Sequence, residues 1–401
     1  MEQNTVVIAG AGPVGLTLAV ALADQGIGVT VLEAEPDLTL DLRAGTFHPP
    51  TVEMLAPYGI AQQMLDGGIP IHKWQIRDRA QGVIAEWDLG LLAGETPYPF
   101  RLHIEQHKLT RMLAAKLAVY PHAALHFGVE ACAIEQDGAG VTVGARRGNE
   151  TVAYRCQWMV GADGGRSFTR KAIDSEFEGF TWPERFVVAS TDYDLGQHGY
   201  AGNAYISDPV EFVALFRVPH DGPPGLWRIV FPVPPDETDE TALSDARVQQ
   251  RLRGFMPWRE RYDVAYRSMY RVHQRVAKAW RRERVLLAGD AAHVNNPLGA
   301  FGMNGGIHDA INLAAKLGQV LRGEADAVLL DRYVRQRRTV NIEFIQANSI
   351  RNKHTLEERD PAVREQRFAE LRARAADPVQ AREFLRVSSM IASVERAAQI
   401  E

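Results

Sequence analysis

Cysteine is nearly missing. Cys132 and Cys156 are the only two in 401 residues, too few for a disulfide framework, and no Cys/His spacing resembles a zinc site. A reducing compartment, the cytoplasm, is the expectation. An excess of positive charge is also missing: 45 Lys and Arg face 50 Asp and Glu, for a net charge of −5. Basic stretches such as Arg281, Arg282 and Arg284 also contain acids, which argues against a nucleic-acid groove. Long uninterrupted apolar runs are lacking too. Thr5 to Ala23 carries no charge, yet Gly10, Gly12, Pro13 and Gly15 break it, Glu2 precedes it, and no Lys or Arg occurs before Arg43. That pattern argues against a signal peptide or a spanning helix. Internal repeats and low-complexity tracts are absent. With 46% hydrophobic and 24% charged residues, the chain is long enough to bury a large core in two or three structural domains.

What is present begins with a βαβ unit. Thr5 to Ala9 suits a strand buried on both faces, Val14 to Asp24 has helical character, Gly26 and Gly28 break the helix, and Val29 to Leu32 forms a second strand. Leu109, Met112, Leu113, Leu117 and Tyr120 line one face of a further helix. Strand-like pieces follow at Val141 to Val143 and Trp158 to Val160. From about Glu176 to Lys278, runs such as Phe212 to Val218 and Leu226 to Val233 alternate with Pro/Gly-rich turns, as in an antiparallel sheet. Val285 to Ala288 returns to the buried-strand type, and Ile307 to Leu321 is spaced as a helix. Beyond Ala325 the chain is charged and helical, with breaks near Pro361 and Pro378.

Three motifs carry chemistry. The first, Gly10-Ala11-Gly12-Pro13-Val14-Gly15, lies between the first strand and its helix. At such a turn the first glycine permits the tight bend, the second lets backbone approach a pyrophosphate, and the third lets helix and strand pack closely. The helix N-terminus offers N–H groups and a positive dipole end to the phosphates. Glu33 ends the second strand 23 residues after Gly10, where a carboxylate accepts hydrogen bonds from adenosine ribose hydroxyls and repels a 2′-phosphate. FAD or NAD is expected there rather than NADP. The second motif is Gly161-Ala162-Asp163-Gly164-Gly165-Arg166-Ser167, followed by Arg170. The third is Gly289-Asp290-Ala291-Ala292-His293, continuing as Asn296-Pro297-Leu298-Gly299-Ala300-Phe301-Gly302-Met303-Asn304-Gly305. Taken alone, Asp290 reads as a helix N-cap, Arg43 as a surface arginine and His293 as a structural hydrogen-bonder.

In order and spacing these motifs resemble the single-component (group A) flavoprotein aromatic hydroxylases typified by p-hydroxybenzoate hydroxylase, over roughly residues 4 to 350. The resemblance implies an α/β fold, α+β overall. A Rossmann-like FAD-binding domain of the glutathione-reductase type would be assembled from residues 1–70, 100–175 and 280–330. An antiparallel substrate-binding sheet would come from 71–99 and 176–279, followed by a helical region, 331–401. It also implies roles for residues. Gly10, Gly12, Pro13, Val14, Gly15 and Glu33 would hold the nucleotide end of FAD. Arg43 would reach the pyrophosphate and Gln106 make a further contact. Asp290 would bind the ribityl chain, and Asp163 would touch both FAD and the reductant. Pro297 would sit over the flavin at the reaction centre. Gly299, Ala300, Phe301, Gly302, Met303 and Asn304 would form a loop whose N–H groups face the ring, before a helix starting near Gly305.

No second dinucleotide fingerprint follows residue 33, so the resemblance implies NADPH or NADH as a transient reductant that binds across the FAD domain and leaves. Oxygen would then add to the reduced flavin as a C4a-hydroperoxide, which hydroxylates an electron-rich ring in a pocket that excludes water. Candidate pocket walls are Thr46, Phe47 and His48, with Tyr205, Phe216 and Trp227 from the sheet and Pro297 from the flavin loop. The aromatic residues read equally well as core. His48 and Pro297 are the catalytic candidates. His48 could polarise or deprotonate a phenol; its other reading is a turn histidine before Pro49-Pro50. Phe216 and Val218 stand where p-hydroxybenzoate hydroxylase carries a serine and an arginine for the substrate carboxylate, which argues against a benzoate. Phe177-Glu178-Gly179-Phe180-Thr181-Trp182-Pro183-Glu184-Arg185 and the stretch Arg43 to Pro50 are similar to the phenol and phenylpropionate hydroxylase branch. Expected partners are a small phenolic or heteroaromatic substrate and O2, with no nucleic acid, membrane or metal; a homodimer is compatible with the sequence. The alternative is an FAD-dependent reductase or dehydrogenase of the same fold without oxygen insertion. A halogenase is disfavoured because Trp-x-Trp-x-Ile-Pro is missing, and Trp227-Arg228-Ile229-Val230 is no substitute.

Overall fold

The computed structural model describes residues 3–40 and 44–401, so Arg43 lies outside the described residues. Two eight-stranded sheets organise the chain. In the first, the strands Val285–Leu287, Glu150–Gly161, Gln3–Ala9, Val29–Glu33 and Ala123–Phe127 run parallel side by side. Val6, Val7 and Ile8 have no exposed surface, as expected of a strand covered on both faces. The helix Pro13–Ala23 is buried at every position from Val14 on, packed against Gln106–Leu117 and Phe301–Leu321. A helix apolar all round belongs in a core, which is why this segment mimics a membrane anchor. Among the described residues no helix is long and apolar enough to cross a membrane.

The second sheet runs His293–Val294, Tyr266–Ala277, Phe177–Thr191, Leu226–Val233, Val213–Val218, Asn203–Ser207, Lys73–Asp78 and Gly82–Asp88. Its pairings are antiparallel except between Asn203–Ser207 and Lys73–Asp78. One face packs Trp227, Ile229 and Phe231 beneath the helix Asp245–Phe255. The other gathers Trp74, Trp87, Phe186, Tyr205 and Phe212 against Leu356, Ala381 and Leu385 from the last helices. Those helices therefore cover the second sheet rather than trailing from it. A π-helical stretch, Asn341–Gln346, interrupts the run from Leu329 to Glu357 and sets Ile345 against Phe301. Such bulges are common where a helix must reshape itself around a site.

Candidate active site

Sheet order brings the carboxyl ends of four parallel strands together, and each carries one sequence feature. Asp290 follows Val285–Leu287, Asp163 follows Glu150–Gly161, the Gly10 turn follows Gln3–Ala9, and Glu33 ends Val29–Glu33. Ligands of open α/β sheets bind outside these ends. Backbone bonds tie the turns together: Ala162 N–H donates to Ala9 O at 2.8 Å, and Ala288 N–H to Gly161 O at 2.9 Å. Gly10, at φ +100°, has no room for a side chain, because a Cβ would lie 2.4 Å from Ala162 O. On Gly15 it would lie 2.0 Å from Gly10 O. Val14 wedges against Gly289 and Gly306, where added Cβ atoms would come within 2.8 and 2.5 Å of its Cγ2.

Two long helices present uncapped N-termini. Pro13–Ala23 starts from Gly12 and Phe301–Leu321 from Ala300, which is left-handed at φ 57°; neither start has a side-chain cap. A Cβ on Gly12 would meet nothing within 4 Å. The Glu33 carboxylate borders this turn, accepting from Ala11 N–H at 2.6 Å and from Glu35 N–H at 3.0 Å. Asp290 is exposed between the buried Gly289 and Ala291. Open N–H groups suit a pyrophosphate and an anionic ring edge, and an exposed carboxylate suits a polyhydroxyl chain. These residues fit FAD.

Several positions differ from expectation. The helix begins at Phe301, not near Gly305, so Phe301, Gly302, Met303 and Asn304 form its first turn rather than a loop. The N–H groups of Phe301, Gly302 and Met303 lie ahead of the first intrahelical bond, as in any first turn, whereas Asn304 is the first position with a helical acceptor. The Asn304 side chain is committed to the protein: Oδ1 accepts from His48 N–H and Thr51 Oγ1, and Nδ2 donates to Thr46 O and Ala300 O, all within 2.9 Å. Asp163 turns inward. Its carboxylate accepts from Ser167 Oγ at 2.5 Å and from Thr169 N–H and Oγ1 at 2.9 Å, so it organises its own turn. Arg170 links the second and third motifs, donating from Nη1 to Ala291 O and from Nη2 to Gly165 O, each at 2.9 Å. Gln106 is the half-buried first residue of its helix, and its N–H donates to Ala44 O at 3.2 Å.

Strand parity sorts the expected pocket walls. Thr46 pairs with His103 and Phe47 with Leu102; paired residues share a face and neighbours alternate. Thr46 Oγ1 lies 3.1 Å from His103 Nε2, whereas Phe47 enters the main core and is no pocket wall. Tyr205 and Phe216 share a face, with ring centroids 6.1 Å apart, and Tyr205 Oη accepts the Gly299 N–H at 2.7 Å. Trp227 pairs with Arg217, while its neighbour Arg228 pairs with Phe216. Trp227 therefore lies on the opposite face, where its Nε1 donates to Asp194 at 3.1 Å. Pro297 is half-buried and its carbonyl accepts from Ala300 N–H at 2.9 Å.

His48 is buried at the start of the helix Pro49–Leu55. Its ring stacks on Phe301 with centroids 5.8 Å apart, and Nε2 lies 2.9 Å from Gly299 O. A carbonyl can only accept, so Nε2 carries the proton and Nδ1 a lone pair. That Nδ1 has no hydrogen-bond partner among the described residues. Burial, and next the Arg101 guanidinium, push the His48 pKa well below the usual imidazole value. Burial lowers His103 and His308 to about 3. All three stay neutral when folded and gain protons when unfolded. Because the folded values are depressed, stability is complete above the unfolded value near 6.5 and falls as pH drops through it. At pH about 5, unfolding should take up roughly three protons from these groups. The pH dependence of the denaturant midpoint measures this; a flat midpoint between about pH 7 and 5 contradicts it.

The sequence reading missed four contributors. Asp309, buried in the helix Phe301–Leu321, accepts from Arg337 Nε and His293 Nε2, both at 2.7 Å, and from Gly289 N–H at 3.1 Å. Arg101 and Arg228 are buried. For Arg101 a signal existed: Arg101, His103 and Glu105 alternate with Leu102 and Ile104, the pattern of a strand with one polar face. The C-terminal helices are the fourth. Phe384 packs on Trp74 and Trp87 with centroids 5.4 and 4.6 Å away, and Met390 packs on Phe301.

Comparison with known proteins bears on this cleft. The family described as FAD binding domain matches residues 3–348. The chain belongs to this FAD-binding family. Its relatives within the family include para-nitrophenol 4-monooxygenase of Pseudomonas sp. strain WBC-3, 34% identical over 95% of this chain and 94% of that one. 6-Hydroxy-3-succinoylpyridine 3-monooxygenase of Pseudomonas putida is 32% identical over 90% and 91%. The crystal structure of p-nitrophenol 4-monooxygenase from Pseudomonas putida superposes with a TM-score of 0.92, covering 98% of each chain at 32% identity. The chain is thus a flavin-dependent monooxygenase of the group A type with FAD as its cofactor.

Proposed function

We propose that this enzyme hydroxylates a phenolic or heteroaromatic small molecule with O2, using NADPH or NADH as a transient reductant. The reading is carried by His48: a neutral, fully buried imidazole with a bare Nδ1, anchored to Gly299 beside the open start of the helix Phe301–Leu321. Bound FAD, once reduced, supplies activated oxygen; the protein must aim it and keep water away. The Asp290 carboxylate and the open turn at Gly12 would hold the cofactor. The first turn from Phe301 would offer N–H groups and a positive dipole end to negative charge on the flavin. His48 Nδ1 accepts the phenolic O–H and so enriches the ring carbons in electron density. Tyr205, Phe216 and Trp74, closed over by Phe384, supply a dry aromatic wall.

The test is a panel of phenols and hydroxypyridines screened with yellow, FAD-loaded enzyme for accelerated NAD(P)H oxidation, with isotopically labelled O2 traced into the product. Stimulated oxidation with label in the ring supports the reading. NAD(P)H oxidation without oxygen uptake with every compound overturns it in favour of a reductase of the same fold.

A further inference from the structure

Arg101 is 1% exposed and no carboxylate forms an ion pair with it among the described residues. Nη1 donates to Asn203 Oδ1 at 2.5 Å and Nη2 to Ser388 O at 3.3 Å. Both acceptors are neutral, so the charge is solvated but not compensated. Nε has no partner. The guanidinium stacks 4.4 Å over Trp74, whose ring meets Tyr205 at 5.9 Å, and Tyr205 holds Gly299 of the flavin loop. Among the described residues, Trp74 Nε1 and the hydroxyl of Ser389, next to the Ser388 that Arg101 touches, are also buried without acceptors. Burial pulls Arg101 down to about 10, with the Tyr205 hydroxyl acting the other way. A lone buried cation costs several kcal/mol, and an anion or further hydrogen-bond acceptors reduce that cost. With Nε unpartnered and a second N–H on each Nη beyond the one already donated, the fixed planar guanidinium can still meet a planar group with two oxygens.

We infer that Arg101 is the specificity-determining residue of this site, its guanidinium taking a two-oxygen substituent, carboxylate or nitro, on the aromatic substrate. This rests on the hydroxylase reading and specifies its substrate class: a ring with a hydroxyl toward His48 and an oxygen-rich group toward Arg101. Phe216 and Val218 leave no cation on their strand at those positions; Arg101 supplies it from the short strand Arg101–His103, which pairs with Thr46–Phe47. The relatives' named substrates, para-nitrophenol and a succinoyl-substituted hydroxypyridine, combine the same two features.

The test measures ligand binding to the holoenzyme by perturbation of the flavin spectrum, using matched pairs. One pair is 4-nitrophenol and 4-isopropylphenol; the other is 3-(3-hydroxyphenyl)propionate and its primary amide. Wild type should prefer the two-oxygen member of at least one pair by about 10- to 100-fold, the range for a hydrogen bond to a charged group. Arg101→Met should bring that ratio close to one while binding the neutral member as before, and Arg101→Lys should keep part of it. No preference in the wild type for either pair, or a preference that survives Arg101→Met, overturns the assignment. Should Arg101→Met fail to fold, the wild-type ratios and Arg101→Lys decide alone. A binding preference without oxygen transfer keeps the assignment and overturns the hydroxylase reading; transfer to neutral phenols without any preference does the reverse.

Discussion

Replacing Asp309 with alanine should lower stability by about 3–5 kcal/mol, the effect of stranding one partner of a buried ion pair, and leave protein that does not retain FAD. Asp309 is fully buried and serves three donors at once: Arg337 Nε, His293 Nε2 and Gly289 N–H. Burial alone would push its carboxyl pKa up, yet His293 and Arg337 outweigh burial and hold it below the usual range. The carboxylate therefore stabilises the fold above its unfolded value near 4, and that contribution is lost as pH falls through the lower folded value. Removing it leaves the Arg337 charge, with a side chain 3% exposed, without its anion, and releases the Gly289 turn that presents Asp290. Asp309→Asn keeps the volume and one acceptor, so its loss should be smaller. Denaturant midpoints and flavin absorbance per polypeptide measure both effects. Wild-type midpoint and full FAD content in Asp309→Ala would remove Asp309 from this role.

That cluster also marks where sequence stops being informative. The three motifs are readable because each lies within 17 or fewer contiguous residues whose spacing itself encodes the turn, and the topology of a parallel sheet brings such turns to one edge. Asp309, His293 and Arg337 meet across 16 and 28 residues, and each alone looks like an ordinary polar residue in a helix or strand. Trp227 failed by parity: a one-residue change of strand register exchanges every side chain between faces, so Arg228 rather than Trp227 stands on the Phe216 side. The early start of the helix at Phe301 has a different cause. The resemblance implies a loop over Gly299 to Asn304 and a helix only from near Gly305, and glycine does disfavour helices by up to about 1 kcal/mol each. Packing overrides that preference, since a Cβ on Gly305 would lie 2.6 Å from Ile345 and one on Gly306 2.5 Å from Val14. The C-terminal helices carry no motif at all; their role follows from Phe384 and Met390 covering the site, contacts that reach 310 residues back to Trp74 and 89 back to Phe301 in sequence.

His48→Ala should slow ring hydroxylation by about 10²- to 10⁴-fold, the usual worth of a positioned acid–base group, while changing flavin reduction by NAD(P)H far less. The two ring nitrogens allow activation to be separated from support. Nε2 anchors the histidine to Gly299, and Nδ1 is the unpartnered acceptor. In His48→Gln the side-chain amide reaches as far as Nε2 and can donate to Gly299 O, but no lone pair replaces Nδ1. An activating His48 predicts that glutamine is nearly as slow as alanine; a histidine that merely supports the loop predicts glutamine close to wild type. The pH profile gives a second reading. With its pKa held well below the ordinary value by burial and by Arg101, His48 is neutral throughout the neutral range, so hydroxylation should show no limb near about 6.5. Rapid-reaction measurement of reduction and oxygen transfer in the three proteins decides it. Equal slowing of both steps in His48→Ala, or a glutamine variant at wild-type hydroxylation rate, assigns His48 to the architecture of the flavin loop and leaves the phenol to be activated by another group.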